Sequence, residues 1–171
     1  FLNYICSNDI NKIEIQKAQY NCFINNHGGI VDDLIVYRIE EKKYMLVVNA
    51  ANISKDWKWI ELKNKEFNCS LLDRSNEFSL LAIQGPKAES FCQNFTDENL
   101  SLLKNYSFVI GKFAGCEKII ISKTGYTGSG GYELYIPNNM ALKIWDDLFS
   151  YDDSNLKPIG LAARDTLRIE M

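Results

Sequence analysis

The sequence lacks the marks of several protein classes. No apolar run in its 171 residues approaches the ~20 that a membrane-spanning helix needs. The 5 cysteines are odd in number and none belongs to a Cys-x-x-Cys pair, so neither a disulfide framework nor a zinc site is predicted, and a reducing compartment fits better. His27 is the single histidine and lies in the turn-forming NNHGG, which leaves a metal site or a Ser-His relay without support.

Charge of one sign is not concentrated anywhere along the chain. The net charge is −3, and the Lys and Arg residues are scattered among Asp and Glu, so no basic stripe indicates a nucleic-acid partner. Hydrophobic residues make up 46% and charged residues 24%, which is an ordinary globular composition with enough chain for one large domain or two small ones.

Neither end of the sequence carries a recognisable terminal signal. The chain begins at Phe1 without a signal-peptide pattern, and it ends in the helix-like GLAARDTLRIE with no glycine cap or following proline. We therefore expect both ends to be cuts through a larger protein.

Hydrophobic periodicity predicts a mixed architecture. Strands are predicted over 18–25, 30–40, 43–50, 76–85, 116–123 and 131–138, and helices over 52–65, 86–95, 139–151 and 160–170. The first three strands are joined by turns too short for a parallel crossover, which favours an antiparallel meander and an α+β fold. Polarity peaks at DRSNE, residues 73–77, so we expect one subdomain over 1–75 and a second α+β subdomain over 76–171.

Local signals add detail to the helices. Ser54 is predicted as the N-cap of the first of them, and Pro86 is expected in the first turn of the second. The third helix places four apolar residues on one stripe: Ala141, Ile144, Trp145 and Leu148.

The stretch IVDDLIVYR places two adjacent aspartates inside a strand that otherwise favours burial. Neighbouring side chains of a strand point to opposite faces, so Asp32 and Asp33 cannot both enter one pocket. One is expected to face solvent or a surface partner. The other is expected to look inward, where burial in apolar surroundings is costly unless the carboxylate is paired or used, and where its pKa is expected to rise. The structural alternative is an edge strand with two solvated acids, or a bulge.

The loop TGYTGSGGYE, residues 124–133, is rich in glycine and carries Tyr126 and Glu133. Its spacing matches neither the dinucleotide-binding G-x-G-x-x-G pattern nor a Walker loop, and a loop between two strands lacks the helix N-terminus that would hold a phosphate. Glycine permits close approach of a ligand to the backbone, so the loop is either a wall against a flat ligand or simply a glycine-rich hairpin.

The last predicted helix carries two arginines on one face. Arg164 and Arg168 are four residues apart, and Asp165 is three residues before Arg168 and could pair with it. One interpretation is a surface ion-pair ladder. The other is that Arg164, near the helix start, is a fixed donor fork for a planar polar ligand.

Five segments together resemble the glycine cleavage T-protein family, the folate-dependent aminomethyltransferases. They are GGIVDDLIVYR, YMLVVNAANISKDWKWI, LLAIQGPKAE, TGYTGSGGYELYIP and PIGLAARDTLRIE, in family order and with family-like separations. The resemblance covers essentially the whole chain. It implies the central part of the T-protein folate-binding fold, with antiparallel or mixed sheets flanked by helices, and with an N-terminal segment and a C-terminal barrel absent from this sequence.

The resemblance also implies roles for particular residues. Asp33 matches the catalytic aspartate, which assists proton handling and orientation near the reacting nitrogens of the folate. A pterin offers N–H donors suited to a carboxylate and acceptors suited to an Arg fork. The implied folate-binding residues are Glu133 and Arg164 at the pterin end, Tyr126 in the same pocket, and Tyr37 and Asn49 nearby.

The implied activity is transfer of a one-carbon unit from the aminomethylated lipoyl group of an H-protein to tetrahydrofolate, with release of ammonia. Tetrahydrofolate is the expected co-substrate and the lipoylated H-protein the expected partner, with no metal, nucleic acid or membrane. The implied compartment is the bacterial cytoplasm, or the mitochondrial matrix in a eukaryote. Two alternatives stay open: a related folate-dependent demethylase, and a folate-binding module or fragment without turnover.

Overall fold

A computed structural model describes residues 1–151 and 156–170, and the chain forms two compact units, Phe1–Asn76 and Glu77–Met171. The first contains a three-stranded sheet and the second a four-stranded sheet, and the strand pairs of both are antiparallel. Helices accompany both sheets. The predicted α+β class is confirmed.

The first unit is a β-meander with two helices. Strands β1 (Lys17–Ile24), β2 (Ile30–Glu40) and β3 (Lys43–Val48) pair in that order. Helix α1 (Leu2–Ile5) precedes the meander and α2 (Ile53–Asn64) follows it. The predicted meander is confirmed, because the turns between the strands are too short to carry the chain back for a parallel pairing.

The core of the first unit lies on one face of β2. Leu34 and Val36 of that face are buried together with Phe23 of β1 and Ile60 of α2. Since side chains on one face of a strand recur every second residue, this face also includes position 32.

The second unit has β7 at the centre of its sheet. The strands lie in the order β4 (Phe78–Gln84), β7 (Gly131–Pro137), β6 (Cys116–Ser122) and β5 (Phe108–Phe113). Residues 132–136 of β7 are all buried, and Tyr132, Leu134 and Ile136 belong to the core of this unit.

The described residues of the second unit form three α-helices: α3 (Ala88–Cys92), α4 (Asn138–Ser150) and α5 (Leu161–Ile169). Ile144 and Leu148 of α4 are buried in the core of this unit. None of the helices in the described ranges is both long enough and apolar enough to cross a bilayer.

Sequence patterns predict no strand over 108–113, where the structure has β5. The β5–β6 turn passes through Ala114 at φ 47° and Gly115 at φ 72°, two positive values that are typical of a type I′ hairpin turn. Asn-Gly or Asp-Gly usually marks such a turn, and here Ala114 takes the first position. Gly111 also interrupts the strand, so the local signal is weak.

Two helix-start predictions are wrong. The N-cap of α2 is Asn52, and Ser54 lies inside the helix, because the chain turns two residues earlier than the capping pattern indicates. Helix α3 begins at Ala88, so Pro86 precedes the helix. Proline at this point fixes its own φ but does not by itself set where the first turn begins.

The predicted stripe of α4 is confirmed only in part. Ile144 and Leu148 are buried, whereas Trp145 is 41% exposed and packs its ring against Phe149 at a centroid distance of 4.6 Å. Trp145 is one residue past Ile144, which turns it about 100° around the helix and out to the edge of the buried stripe.

Candidate functional site

The two adjacent aspartates of β2 point to opposite faces of the first sheet. Asp32 is opposite Phe23 in the strand register, and Asp33 is opposite Cys22. Phe23 is fully buried in the core of this unit, so Asp32 lies on the face that packs towards α2 and Asp33 on the other face. The predicted alternation is confirmed.

Asp33 is held by two side chains from neighbouring segments. The hydroxyl of Tyr20, on β1, donates to Oδ2 over 2.7 Å. The amide of Asn49, just after β3, donates to Oδ1 over 2.6 Å. The carboxylate is only half-buried, so it is oriented and also accessible to a ligand. The structure thus brings together Asp33 and Asn49, two of the predicted site residues.

Asn49 also connects the two aspartates to each other. Its Nδ2 lies 3.0 Å from Oδ1 of Asp32 as well as 2.6 Å from Oδ1 of Asp33. The backbone N–H of Asp33 donates to the same Asp32 oxygen over 2.9 Å. A single amide therefore couples carboxylates that belong to opposite faces of the sheet.

The pKa of the inward aspartate is shifted the other way from the sequence-based prediction. Burial alone would raise the pKa of Asp32, as predicted, but hydrogen bonds to its charged form outweigh burial and lower the pKa to about 2. The donors are the backbone N–H of Asp33 and the side chains of Asn49, Asp56 and Asn52.

Asp56 belongs to this cluster, and the sequence analysis missed it. Its side chain, on α2, is completely buried and is a hydrogen-bond partner of Asp32. Burial, that hydrogen bond and the charge of Asp32 raise its pKa to about 6. The signal was available in the spacing, because Asp56 precedes the buried Ile60 by four residues and therefore shares its helix face.

Lys55 is the cation nearest to the two inward carboxyl groups in the part of the chain that the structure describes. Its Nζ lies 3.4 Å from Oδ2 of Asp32 and 3.9 Å from Oδ1 of Asp56. It donates to the backbone carbonyl of Val31 over 2.8 Å. Lys55 thus makes long ion-pair contacts with both carboxyl groups, whereas its hydrogen bond to the Val31 carbonyl is shorter.

Tyr37, also predicted near the folate, lies on the same face of β2 as Asp33. Its side chain has no exposed surface. In this structure Tyr37 therefore packs within the protein, and its contact with a ligand stays a prediction.

Glu133 is buried in the second unit, at the start of β7. The hydroxyl of Thr124 donates to Oε2 over 2.5 Å. Burial raises the pKa of Glu133 above its ordinary value, against the lowering effects of the Thr124 hydrogen bond and the Arg164 charge. A buried carboxyl group within the electrostatic influence of a guanidinium is suited to recognising a polar ligand.

Arg164 and Tyr126 contact each other directly. Nε of Arg164 donates to the Tyr126 hydroxyl, and the guanidinium carbon lies 4.9 Å from the centre of the tyrosine ring. Arg168, one turn further along α5, is 5.8 Å from the same ring. Within the second unit, the structure therefore brings Arg164 and Tyr126 into contact, and the charge of Arg164 acts on the buried Glu133.

Gln84, at the end of β4, fixes the glycine-rich loop. Its Nε2 lies 3.2 Å from the carbonyl oxygen of Thr124 and 3.1 Å from that of Tyr132, one residue at each end of the loop. Gly131 has φ 148°, and a Cβ there would lie 2.5 Å from the carbonyl oxygen of Ile83. The close approach of the loop to β4 thus requires glycine at position 131. The sequence pattern instead indicates a ligand wall or a hairpin, and it does not point to Gln84.

These residues form two chemically distinct groups. In the first unit, an oriented and accessible carboxylate can take up or release a proton. In the second, a buried carboxyl group and a guanidinium fork can hydrogen-bond a planar heterocycle that has both donors and acceptors. Within the described ranges, no group of three or more His, Cys, Asp and Glu side chains could hold a metal ion.

The sequence matches a known family over its whole length. The family model described as GCVT N-terminal domain matches residues 1–171. An aminomethyltransferase of Porphyromonas gingivalis is 51% identical over 172 residues, which cover 100% of this chain and 47% of the relative. One from Flavobacterium psychrophilum is 52% identical over 168 residues, covering 98% of this chain and 46% of the relative.

A solved structure matches the fold. The crystal structure of glycine cleavage system aminomethyltransferase T from Bartonella henselae superposes with a TM-score of 0.86 and 32% identity, over 99% of this chain and 44% of that one. The chain thus spans about half the length of the relatives that it matches.

Proposed function

The chain belongs to the GCVT N-terminal domain family, and from this premise we propose that it serves tetrahydrofolate-dependent aminomethyl transfer in the glycine cleavage system. The resemblance inferred from the five sequence segments agrees with that membership. Because the chain spans about half of its curated relatives, the activity, the substrates and the partner are those proposed for the protein that contains it.

The proposed reaction moves one carbon between two carriers. The methylene carbon of an aminomethylated lipoyl sulfur on the H-protein passes to tetrahydrofolate, the carbon–sulfur bond breaks, and the nitrogen leaves as ammonia. Such a transfer requires aligned reactants and a group that handles a proton at the reacting nitrogens. The protein's contribution is therefore orientation together with one accessible acid–base group.

Asp33 is proposed as the catalytic residue. The hydrogen bonds from Tyr20 and Asn49 hold both carboxylate oxygens in place and leave the group accessible. An oriented carboxylate can align a folate nitrogen and exchange a proton with it during transfer. Asn49 is proposed to contribute through Asp33, and Tyr37 through the packing of the same face.

Glu133, Arg164 and Tyr126 are proposed to hold the pterin. The Glu133 carboxylate would accept from the pterin's amino and ring N–H groups, and Arg164 would donate to its acceptors. The Tyr126 ring offers a flat surface that is already in contact with the guanidinium. The grouping of a buried Glu133 with Arg164 and Tyr126 is the observation that carries the folate assignment.

Titration of this chain with tetrahydrofolate under anaerobic conditions tests the binding site. We expect Glu133→Ala to weaken binding more than Asp33→Asn does, because Glu133 binds the ligand whereas Asp33 mainly serves the reaction. Glu117→Ala, at an exposed position of β6, is the control. Equal and negligible effects of the two site variants would count against the assignment.

Turnover is tested in a chimaera in which residues 1–171 replace the matching segment of the Porphyromonas gingivalis aminomethyltransferase. Ammonia release from aminomethylated H-protein supports the transferase. Demethylation of a sulfonium donor with folate as acceptor would instead indicate the related demethylase. Folate binding without turnover of either donor would indicate a binding module.

The remaining expectations stay predictions. They concern the lipoylated H-protein as partner, the absence of a metal from the reaction, and a location in the bacterial cytoplasm. The relatives described above come from bacteria, which supports the bacterial alternative over the mitochondrial one. Co-purification of the chimaera with lipoylated H-protein, compared with the unlipoylated form, tests the partner.

A further inference from the structure

Asp56 is a completely buried acid that the proposed function does not use. Neither of its oxygens, nor Oδ2 of Asp32, meets a hydrogen-bond donor among the described residues when both groups are ionised. Yet the two carboxyl groups are hydrogen-bond partners of each other. Two carboxylates cannot donate to one another, so a proton on Asp56 supplies the donor that this arrangement lacks.

We propose that Asp56 is a positioning residue that sets the orientation of Asp33 through Asp32 and Asn49. This inference rests on the proposed function in one respect, the role of Asp33 in proton handling. It assigns a role to a residue that contacts neither a substrate nor Asp33 itself.

The connection runs through hydrogen bonds of the first unit. Protonated Asp56 donates to Asp32 and fixes that carboxylate. Oδ1 of Asp32 accepts from the backbone N–H of Asp33 over 2.9 Å and from Nδ2 of Asn49 over 3.0 Å. The same Nδ2 donates to Oδ1 of Asp33 over 2.6 Å. A change at Asp56 therefore reaches Asp33 by the backbone and by the bridging amide.

Lys55 does not replace this proton. Its Nζ donates to the carbonyl of Val31 over 2.8 Å, and its distances of 3.4 Å to Asp32 and 3.9 Å to Asp56 are longer than a charge-assisted hydrogen bond. Lys55 supplies partial charge compensation, and the buried oxygens still lack a donor.

The charge balance makes the effect depend on pH. The charged groups that face Asp56 are Asp32 and Asp33 of β2 and Lys55 of its own helix. With Asp56 protonated, two carboxylates share one ammonium; with Asp56 ionised, three do. Burial and the neighbouring Asp32 raise the pKa of Asp56 to about 6, so this change falls near neutral pH.

Carbon-13 NMR of aspartate carboxyl groups in the 171-residue chain tests the proposal. We expect the Asp56 resonance to titrate near pH 6 and the chemical shift of the Asp33 carboxyl carbon to respond at the same pH, because the Asp32–Asn49 hydrogen bonds connect the two groups. In Asp56→Asn that response should disappear. An Asp56 that titrates below pH 4.5, or an Asp33 resonance unaffected by the variant, would overturn the proposal.

A second variant separates the hydrogen bond from a loss of folding. Asp32→Asn removes the charged partner, so the midpoint of Asp56 should fall towards the value of an ordinary aspartate. Asp146→Asn, at an exposed position of α4, is the matched control and should change neither the Asp56 midpoint nor the Asp33 resonance. The titration of Asp56 in the unsubstituted chain can refute the proposal even if the Asp56→Asn protein misfolds.

The pH dependence of turnover in the chimaera completes the test. At saturating folate we expect kcat to show an inflection near pH 6 that Asp56→Asn removes and Glu133→Gln retains. An Asp33 resonance that responds to Asp56 in a chain that does not bind folate would refute the proposed function alone. Folate binding with an uncoupled Asp33 would refute this inference alone.

Discussion

The amide of Asn49 bridges two carboxylates, donating to Oδ1 of Asp33 over 2.6 Å and lying 3.0 Å from Oδ1 of Asp32. Asn49→Ala removes this contact from both. We expect kcat of the chimaera to fall about 10–100-fold, with a smaller change in folate affinity, because a misoriented catalytic group affects the reaction more than binding. Asn11→Ala, at an exposed position of the same unit, is the control. A larger loss in affinity than in kcat would contradict the role.

As pH falls, folate binding is expected to weaken at a higher pH than it would if Glu133 had the pKa of an ordinary glutamate. Glu133 accepts N–H donors fully only when ionised, and burial raises its pKa above 4.5. As pH falls from 7.5 to 5, the dissociation constant should therefore rise. Calorimetric titration across this range measures the effect. Glu133→Gln should bind more weakly at pH 7.5 and show a flatter dependence, and equal slopes for the two proteins would contradict the prediction.

The two arginines of α5 offer a matched pair of substitutions. Arg164 both donates to the Tyr126 hydroxyl and lies over its ring, whereas Arg168 is 5.8 Å from the ring centre. Arg164→Lys should weaken folate binding about 10-fold, because lysine lacks the planar donor fork. Arg168→Lys should change the dissociation constant by less than about 3-fold. A larger effect at Arg168 would indicate that Arg168, and not Arg164, contacts the ligand.

Asp56→Asn is expected to stabilise the first unit at neutral pH. The folded pKa of Asp56, about 6, lies above its ordinary value of 3.8, so the folded state binds the extra proton and stability falls as pH rises from about 4 to 6. At pH 7.5 the penalty is at most about 3 kcal/mol, and we expect the variant to recover about 1–2 kcal/mol of it. The gain should vanish near pH 4.

Urea denaturation followed by tryptophan fluorescence measures this gain. Trp57 and Trp59 both lie in α2, and a Trp145→Phe background restricts the signal to that helix. Asp32 acts in the opposite sense, since its folded pKa of about 2 gives stability that is present above pH 4 and is lost as pH falls towards 2. A variant less stable than the parent at pH 7.5 would refute the buried-charge account.

Neighbouring glycines of the loop are expected to differ in their tolerance of a side chain. At Gly131, with φ 148°, a Cβ would lie 2.5 Å from the carbonyl oxygen of Ile83. At Gly130, with φ 79°, a Cβ would meet nothing within 4 Å. Gly131→Ala should therefore cost about 2–4 kcal/mol, through strain plus overlap, and Gly130→Ala about 1–2 kcal/mol through strain. Thermal unfolding compares them, and equal costs would argue against the overlap.

Much of the fold follows from the sequence because periodicity is local. Alternation over 30–40 predicts β2 to its end residues, and the helical spacing over 52–65 predicts α2 within one residue at each end. The β5 strand does not follow from such reasoning, since its turn uses Ala114 at a positive φ that only the pairing with β6 maintains. In that region the secondary structure is set by strand pairing and not by local propensity.

The sequence by itself determined the α+β class, the alternation of Asp32 and Asp33, and the five segments that mark the family. Only the tertiary structure decided that the inward acid is Asp32 with a lowered pKa, and that Asp56, Asn49 and Lys55 surround it. The physical reason is that backbone periodicity depends on adjacent residues. The hydrogen-bond partners and the burial that set a carboxyl group's pKa come instead from segments separated along the chain.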